Sequence, residues 1–333
     1  MGGGPSTPQL AAAVAGAGGV GFLAGGYLSA EALAADVAAT RELTPRFGVN
    51  LFVPGAPADD GALAPYLTEL ESEARRYGVE LGEARYSDDE FEGKLAVLVE
   101  APAPVVSFTF GLPAVEAVSR LHEAGSEVWI TVTSAAEAQL AATIGPDALV
   151  VQGAEAGAHQ GSFEDREVEP VGTLPLLQLV RAAGDLPLVA SGGIATGPGV
   201  AAALAAGAAA AQLGTAFLLA DEAGTAETYR TGLTGGGETR LTRAFTGRRA
   251  RGLVNRFLAE HPDAPSAYPE IHYATAPIRA AARAAGDPEG INLWAGQAHE
   301  LAAPAPAAEI VARLDTEARE ALAHASARWP VSR

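Results

Sequence analysis

The stretch "LPLVASGGIATGPGVAAALAAGAAAAQLGT" (residues 186–215) decides the fold. "LPLVASGG" is a short apolar run stopped by paired glycines, a helix begins near Gly197, and "AAAAQLGT" is a second run ended by another glycine. Two strands joined through one helix lie parallel, with the helix covering a sheet face. No charged residue occurs from Leu186 to Ala220, which also suits a membrane span, but the glycine turn interrupts it and Ala and Gly outnumber Leu and Ile. The stretch therefore reads as buried core of a soluble β/α fold.

The same alternation runs back to the N-terminus. "STPQLAAAVAGAG" has Thr7 as N-cap, Pro8 at the first helical position and Gly16 as the stop, and strand-like "GVGFL" follows it. A helix opening at Ser29 delivers "FGVNLF"; "VVSFTF", "VWITVT" and "ALVVQG" come later, with Ser134 and Glu137 spaced as a capping box between the last two. Strands are thus expected near residues 19, 47, 105, 128, 148, 187 and 209. A closed TIM (β/α)8-type barrel needs eight, so the expectation is that its first strand is missing ahead of the N-terminal helix. A doubly wound open sheet is the competing reading. Residues 61–94, charged and helical, and 221–290, rich in Arg, Gly and Pro, break the alternation and are expected to form a small α/β lid. The barrel then comprises 1–60, 95–220 and 291–333.

Composition narrows the partners. A formal net charge of -18 on 333 residues is the wrong sign for nucleic acid or anionic membrane, and the absence of cysteine removes disulfides, thiolate metal sites and a catalytic thiol. No basic residue precedes Arg41, so a signal peptide's positive segment is lacking and a cytoplasmic location is expected. The five arginines of "TRAFTGRRARGLVNRF" (Arg243, Arg248, Arg249, Arg251, Arg256) are expected to pair with the acidic surplus inside the molecule. "GAGGVG" (16–21) matches a dinucleotide fingerprint but follows a helix and enters a strand, the reverse of the required context.

Three features carry chemistry. "ASGGIATG" (190–197) and "QLGT" (212–215) end consecutive strands where barrels of this kind bind phosphate through backbone N–H groups, and the helix at Gly197 would add its positive end. Asn50, Thr131 and Gln152 lie at strand ends and would converge on a flat heteroaromatic ligand at the open face. His159, in "VVQGAEAGAHQGSF" (150–163), follows Gln152 in the same loop; its small neighbours leave room for a cofactor and a substrate, and an imidazole can take a proton during turnover. His122, His261 and His324 suit ordinary structural or surface roles, and no paired-ligand spacing suggests a metal.

The chain resembles the nitronate monooxygenases, formerly called 2-nitropropane dioxygenases. "GGGPSTPQLAAAVAGAGGVGFLAGGY", "FGVNLF", "VVSFTFGLP", "VQGAEAGAHQG", "LVASGGIATG", "QLGTAFL", "TRAFTGRRARGLVNRF", "YPEIHYATAPIR" and "LWAGQ" occur in that family's order. The resemblance implies a TIM barrel with a lid and non-covalent FMN, its phosphate held at Gly192, Gly193, Gly214 and Thr215. It places Gly2, Gly3, Asn50, Thr131 and Gln152 along the ring and ribityl chain, with Gly157, Gln212 and Gln297 also at the flavin, and makes His159 the catalytic residue. The implied reaction converts a nitronate, or a nitroalkane after loss of its α-proton to His159, and dioxygen into a carbonyl compound and nitrite; a homodimer stays open. The alternatives are an FMN-dependent NAD(P)H reductase of the enoyl-thioester type and a non-catalytic phosphate-ligand-binding barrel.

Overall fold

The computed structural model describes residues 1–329; the last four residues of the expected 291–333 segment lie outside it. Helix α1 (Pro8–Gly16) begins where Thr7 Oγ1 accepts from Leu10 N at 3.0 Å, and α2 (Ala30–Leu43) where Ser29 Oγ accepts from Ala32 N at 3.1 Å. These two caps satisfy donors that a helix start leaves without partners. Strands β1 (Gly21–Ala24) and β2 (Phe47–Phe52) bracket α2. After α3 (Asp60–Tyr77) and α4 (Phe91–Glu100) come β3 (Val105–Thr109), α5 (Val115–Ala124), β4 (Glu127–Val132), α6 (Ala135–Ala142) and β5 (Ala148–Gln152). The two-residue β6 (Ala158–His159) precedes α7 (Thr173–Ala183), β7 (Leu188–Ser191), α8 (Gly197–Ala205) and β8 (Ala210–Gln212).

The parallel sheet has the order β1-β2-β3-β4-β5-β7-β8. Each parallel strand sits beside its predecessor, without the reversal of strand order that a doubly wound sheet requires, so the sheet is the curled wall of a TIM-type barrel. Its seven strands fall where the sequence places them. Among the described residues the two edges, β1 and β8, pair with β2 and β7 only, and between them runs an apolar groove of about 650 Å³ lined by Leu10, Val14, Phe22, Trp129, Val189 and Leu322, among others.

The largest core lies between sheet and helices. Val49, Phe108 and Ile130 from the strands meet Leu33, Leu98, Leu121 and Leu177 from α2, α4, α5 and α7, all at most 1 % exposed. Burial of each such side chain contributes roughly 1.5–3 kcal/mol. The α6 capping box is only half formed: Ser134 Oγ accepts from Glu137 N at 3.1 Å, but the Glu137 carboxylate turns to Thr133 N (2.6 Å) and Phe163 N (2.9 Å). It thereby ties the helix start to the loop that follows His159.

A second core joins Leu63 and Leu70 of α3 to Phe245, Phe257, Ile271 and Ile278, so residues distant in sequence pack as one body over the strand ends. The chain beyond β8 forms α9 (Glu227–Thr234), β9 (Thr239–Thr242), β10 (Ala250–Leu253), α10 (Arg256–Glu260) and α11 (Glu270–Ala284), of which α10 and α11 join α3 in this core. Strand β10 pairs antiparallel with β9 on one side and β6 on the other, setting Ala250 opposite His159. This three-stranded sheet had no sequence signal, because β6 is two residues long. The final helix α12 (Ala307–Arg328) lies along α8 and α1. Among the described residues no helix is long and apolar enough to cross a membrane.

Of the five arginines expected to pair with acids, Arg243 (to Asp165 and Glu167) and Arg256 (to Glu73 and Glu260) do so. Arg248, Arg249 and Arg251 instead donate to carbonyls of Ser162, Arg166, Val168 and Ala154, because the loops around β6 present backbone oxygens to them.

Candidate active site

Register aligns the C-terminal ends of three strands: Gln152 lies opposite Ser191, and Ser191 opposite Gln212. Above that line opens a cavity of about 370 Å³. Gly2, Gly3, Gln152, Gly157, Gly192, Gly193, Gln212, Gly214 and Thr215 all line it.

Gly192 and Gly193 have φ of +111° and +68°, a left-handed pair that a side chain would strain, and a Cβ on Gly193 would come within 2.9 Å of Glu155 Cβ. Glu155 sets this turn: its carboxylate accepts from Thr173 N at 2.9 Å, and Thr173 Oγ1 lies 2.8 Å from Glu155 Oε2 and 3.0 Å from Gly192 O. Across the cavity Thr215 Oγ1 accepts from Gly296 N at 3.0 Å. Gln212 Oε1 is buried without a hydrogen-bond partner in the chain. A glycine cradle beside an orphaned acceptor fits a phosphorylated ligand bearing N–H or O–H donors, as FMN is. The expected contribution from the α8 N-terminus is absent: Gly197 N donates to Glu317 Oε2 at 2.9 Å, so that end already faces a carboxylate.

Four expected residues are not on the cavity wall. Asn50 Oδ1 accepts from Ser107 Oγ (2.8 Å) and Thr109 Oγ1 (2.9 Å), and Thr109 Oγ1 lies 3.3 Å from Thr131 Oγ1, so Asn50 and Thr131 belong to a hydroxyl network behind the site. The Gln297 side chain is exposed, while its backbone N–H holds Glu155 O at 3.0 Å. His159 is half-buried and not itself on the wall, although its neighbours Ala158 and Thr246 are. The glycines around His159 also differ from expectation. A Cβ on Gly153 would meet Thr173 Oγ1 at 2.1 Å, on Gly157 the Gly296 N at 2.5 Å, and on Gly161 the Thr131 Cγ2 at 2.7 Å. Neighbouring chain already fills the space they leave.

His159 is fixed from every side. Gln152 Nε2 donates to its carbonyl at 3.0 Å while Gln152 Oε1 takes Gly161 N at 2.6 Å, so Gln152 clamps the loop. Its imidazole Nε2 lies 2.9 Å from Thr246 Oγ1. The rings of Phe110, Tyr268 and Trp294 stand 5.6–5.7 Å away, and the Arg248 guanidinium covers Phe110 at 4.1 Å. Burial, then the Arg248 cation, push the His159 pKa down to about 3, leaving the imidazole neutral. Tyr27, Phe110 and Ala158 each adopt positive φ (68°, 80° and 64°), a strain of about 1–3 kcal/mol apiece that the packing around the site sustains.

Sequence reasoning missed α11's contribution. His272 stacks on Tyr27 (4.0 Å, 5° between planes), and burial pushes its pKa down to about 2. Arg279 is buried at the cavity wall, donating to His272 O (2.7 Å) and Thr275 Oγ1 (3.2 Å), with no carboxylate partner among the described residues. The signal was present in "YPEIHYATAPIR": His272, Thr275 and Arg279 recur at helical spacing on one face.

The sequence pattern of the nitronate monooxygenases matches residues 1–317. This chain belongs to the nitronate monooxygenase family. It is 42 % identical to a nitronate monooxygenase of Pseudomonas aeruginosa, over 95 % of this chain and 94 % of that one, and 39 % identical to one of Paraburkholderia phytofirmans, over 96 % and 91 %. Its fold is similar to that of a nitroalkane oxidase from Streptomyces ansochromogenes, with a TM-score of 0.95 and 49 % identity over 98 % of this chain and 95 % of that one. FabK from Thermotoga maritima is similar at a TM-score of 0.75 and 26 % identity, over 98 % and 93 %. Family membership makes the chain an oxidoreductase.

Proposed function

We propose that the chain binds FMN and oxidises alkyl nitronates with dioxygen to a carbonyl compound and nitrite, nitroalkanes being poorer substrates. The observation that carries this reading is a neutral imidazole held immobile beside a cavity whose far wall is a glycine cradle with an orphaned acceptor. Gly192, Gly193, Gly214 and Thr215 would hold the phosphate, and Gln212 a donor of the ribityl chain or ring. When bound, FMN supplies electron acceptance from the substrate and reaction with dioxygen.

The protein's residues handle position and protons. The buried Arg279 and Arg248 give the site a positive field within an acidic chain, which favours an anionic substrate. A nitroalkane must first lose its α-proton to His159. An imidazole held at about pKa 3 is neutral and able to accept, but the resulting imidazolium is opposed by both guanidiniums, so the ionised nitronate is the easier substrate.

The test is the absorption spectrum of FMN-loaded protein under anaerobic conditions. Addition of a nitronate bleaches the flavin and addition of NADH does not. Rapid bleaching by NADH alone would favour the second reading, an NAD(P)H-dependent reductase, which the likeness to FabK supports.

A further inference from the structure

We propose that Thr246 is a positioning residue that fixes the His159 proton on Nε2 and leaves Nδ1 as the proton-accepting atom of the site. The inference rests on the proposed oxidation of nitro compounds and assigns an atom to the proton-transfer half of it.

The argument is a count of protons. Thr246 is 1 % exposed, and its hydroxyl has two neighbours, His159 Nε2 at 2.9 Å and the Arg248 carbonyl at 3.3 Å. A carbonyl only accepts, and a hydroxyl has one hydrogen. If Thr246 donates to Arg248 O, its oxygen accepts from His159 Nε2–H and both contacts are hydrogen bonds. If it donates to His159 instead, the buried Arg248 carbonyl loses its only partner among the described residues, at a cost that buried carbonyls seldom bear. The first arrangement satisfies every group and places the imidazole proton on Nε2.

Nothing else competes for the ring. Among the described residues Thr246 is the sole hydrogen-bond partner of the imidazole. The charged groups that face His159 are Arg248, Asp165 and Arg279, and none reaches a ring nitrogen; Asp165 is engaged by Arg243 and Ser266. Phe110, Tyr268 and Trp294 box the ring, and the pairing of β6 with β10 carries Thr246 to it. Nδ1 is left with a free lone pair.

The test combines a spectroscopic and a kinetic readout on FMN-loaded protein. In wild type, nitrogen-15 imidazole resonances assigned to His159 should show a protonated Nε2 and an unprotonated Nδ1 between about pH 6 and about pH 8, the range in which an exposed imidazole would titrate. Thr246→Val should give a tautomer mixture and lower kcat/KM for a nitroalkane by about tenfold or more, the lower part of the range for general-base catalysis. For the corresponding nitronate the loss should be clearly smaller than for the nitroalkane, since no α-proton is removed. Thr246→Ser, which keeps the hydroxyl, should restore both readouts. A wild-type spectrum with the proton on Nδ1 overturns the proposal, as does a Thr246→Val protein that holds FMN and keeps both tautomer and nitroalkane rate. If Thr246→Val fails to fold, the wild-type and Thr246→Ser spectra still decide the tautomer. Because the spectrum needs no turnover, failure of the tautomer assignment is distinguishable from failure of the nitro-compound reading.

Discussion

At the scale of the residue, His159 and His272 have the same peculiarity: both are kept uncharged where an exposed imidazole would ionise near pH 6.5. The sign of the consequence follows from linkage. Below pH 6.5 the unfolded chain binds protons that the folded chain refuses, so stability falls as pH drops from 6.5 towards 3. By pH 5, above most carboxylate titrations, each histidine should have cost about 2 kcal/mol. Denaturant unfolding at pH 7 and pH 5 checks this, and His272→Gln should remove one histidine's share. His159→Asn should lower kcat/KM for nitroalkanes by about 10² or more and spare nitronates, as steady-state oxygen consumption would show; equal losses on both would remove His159 as the base. The place of His159 in the loop after β5 was legible in the sequence, but the purpose of its glycines was not. Close approach of Thr173, Gly296 and Thr131 to that loop is a tertiary fact with no local signature.

At the scale of the element, the caps at Thr7, Ser29 and Ser134 were readable because a cap and its helix are neighbours in sequence. Helix α7 is different. Its cap residue, Gly172, offers no side chain, and the acceptor at its start is the Glu155 carboxylate eighteen positions away, which also sets the Gly192 turn through Thr173. Glu155→Gln replaces one acceptor oxygen with a donor aimed at donors. It should cost about 1–2 kcal/mol, comparable to loss of a helix cap. FMN affinity should fall about tenfold, the equivalent of roughly 1.4 kcal/mol, and titration of apoprotein with FMN measures it. Strand β6 lies at the same limit of legibility: two residues carry no periodicity, and only its pairing with β10 makes it a strand.

At the scale of the whole molecule, the parallel sheet could be read from alternation alone because each strand and its helix are contiguous. The second packed body could not be assembled that way. Its core joins Leu63 and Leu70 to Phe257 and Ile271 across the length of the barrel, and α11, which brings His272 and Arg279 to the cavity, looks from sequence like an ordinary amphipathic helix. The acidic surplus, too, is only partly spent inside: Arg243 and Arg256 meet carboxylates, whereas among the described residues Arg248 and Arg279 form no direct ion pair.

The groove between β1 and β8 has a consequence in solution. Among the described residues β1 pairs only with β2 and β8 only with β7, so two parallel strand edges flank an apolar channel that suits an extended segment. An extended apolar segment, from the same chain or from another, would complete the sheet there, and an edge left open invites association on heating. Ala210, exposed on the β8 edge, is the place to blunt it. Ala210→Lys should delay the rise in light scattering on heating at high protein concentration while leaving the dilute-solution melting temperature within about 2 °C, a shift of at most about 1.4 kcal/mol for a chain this size.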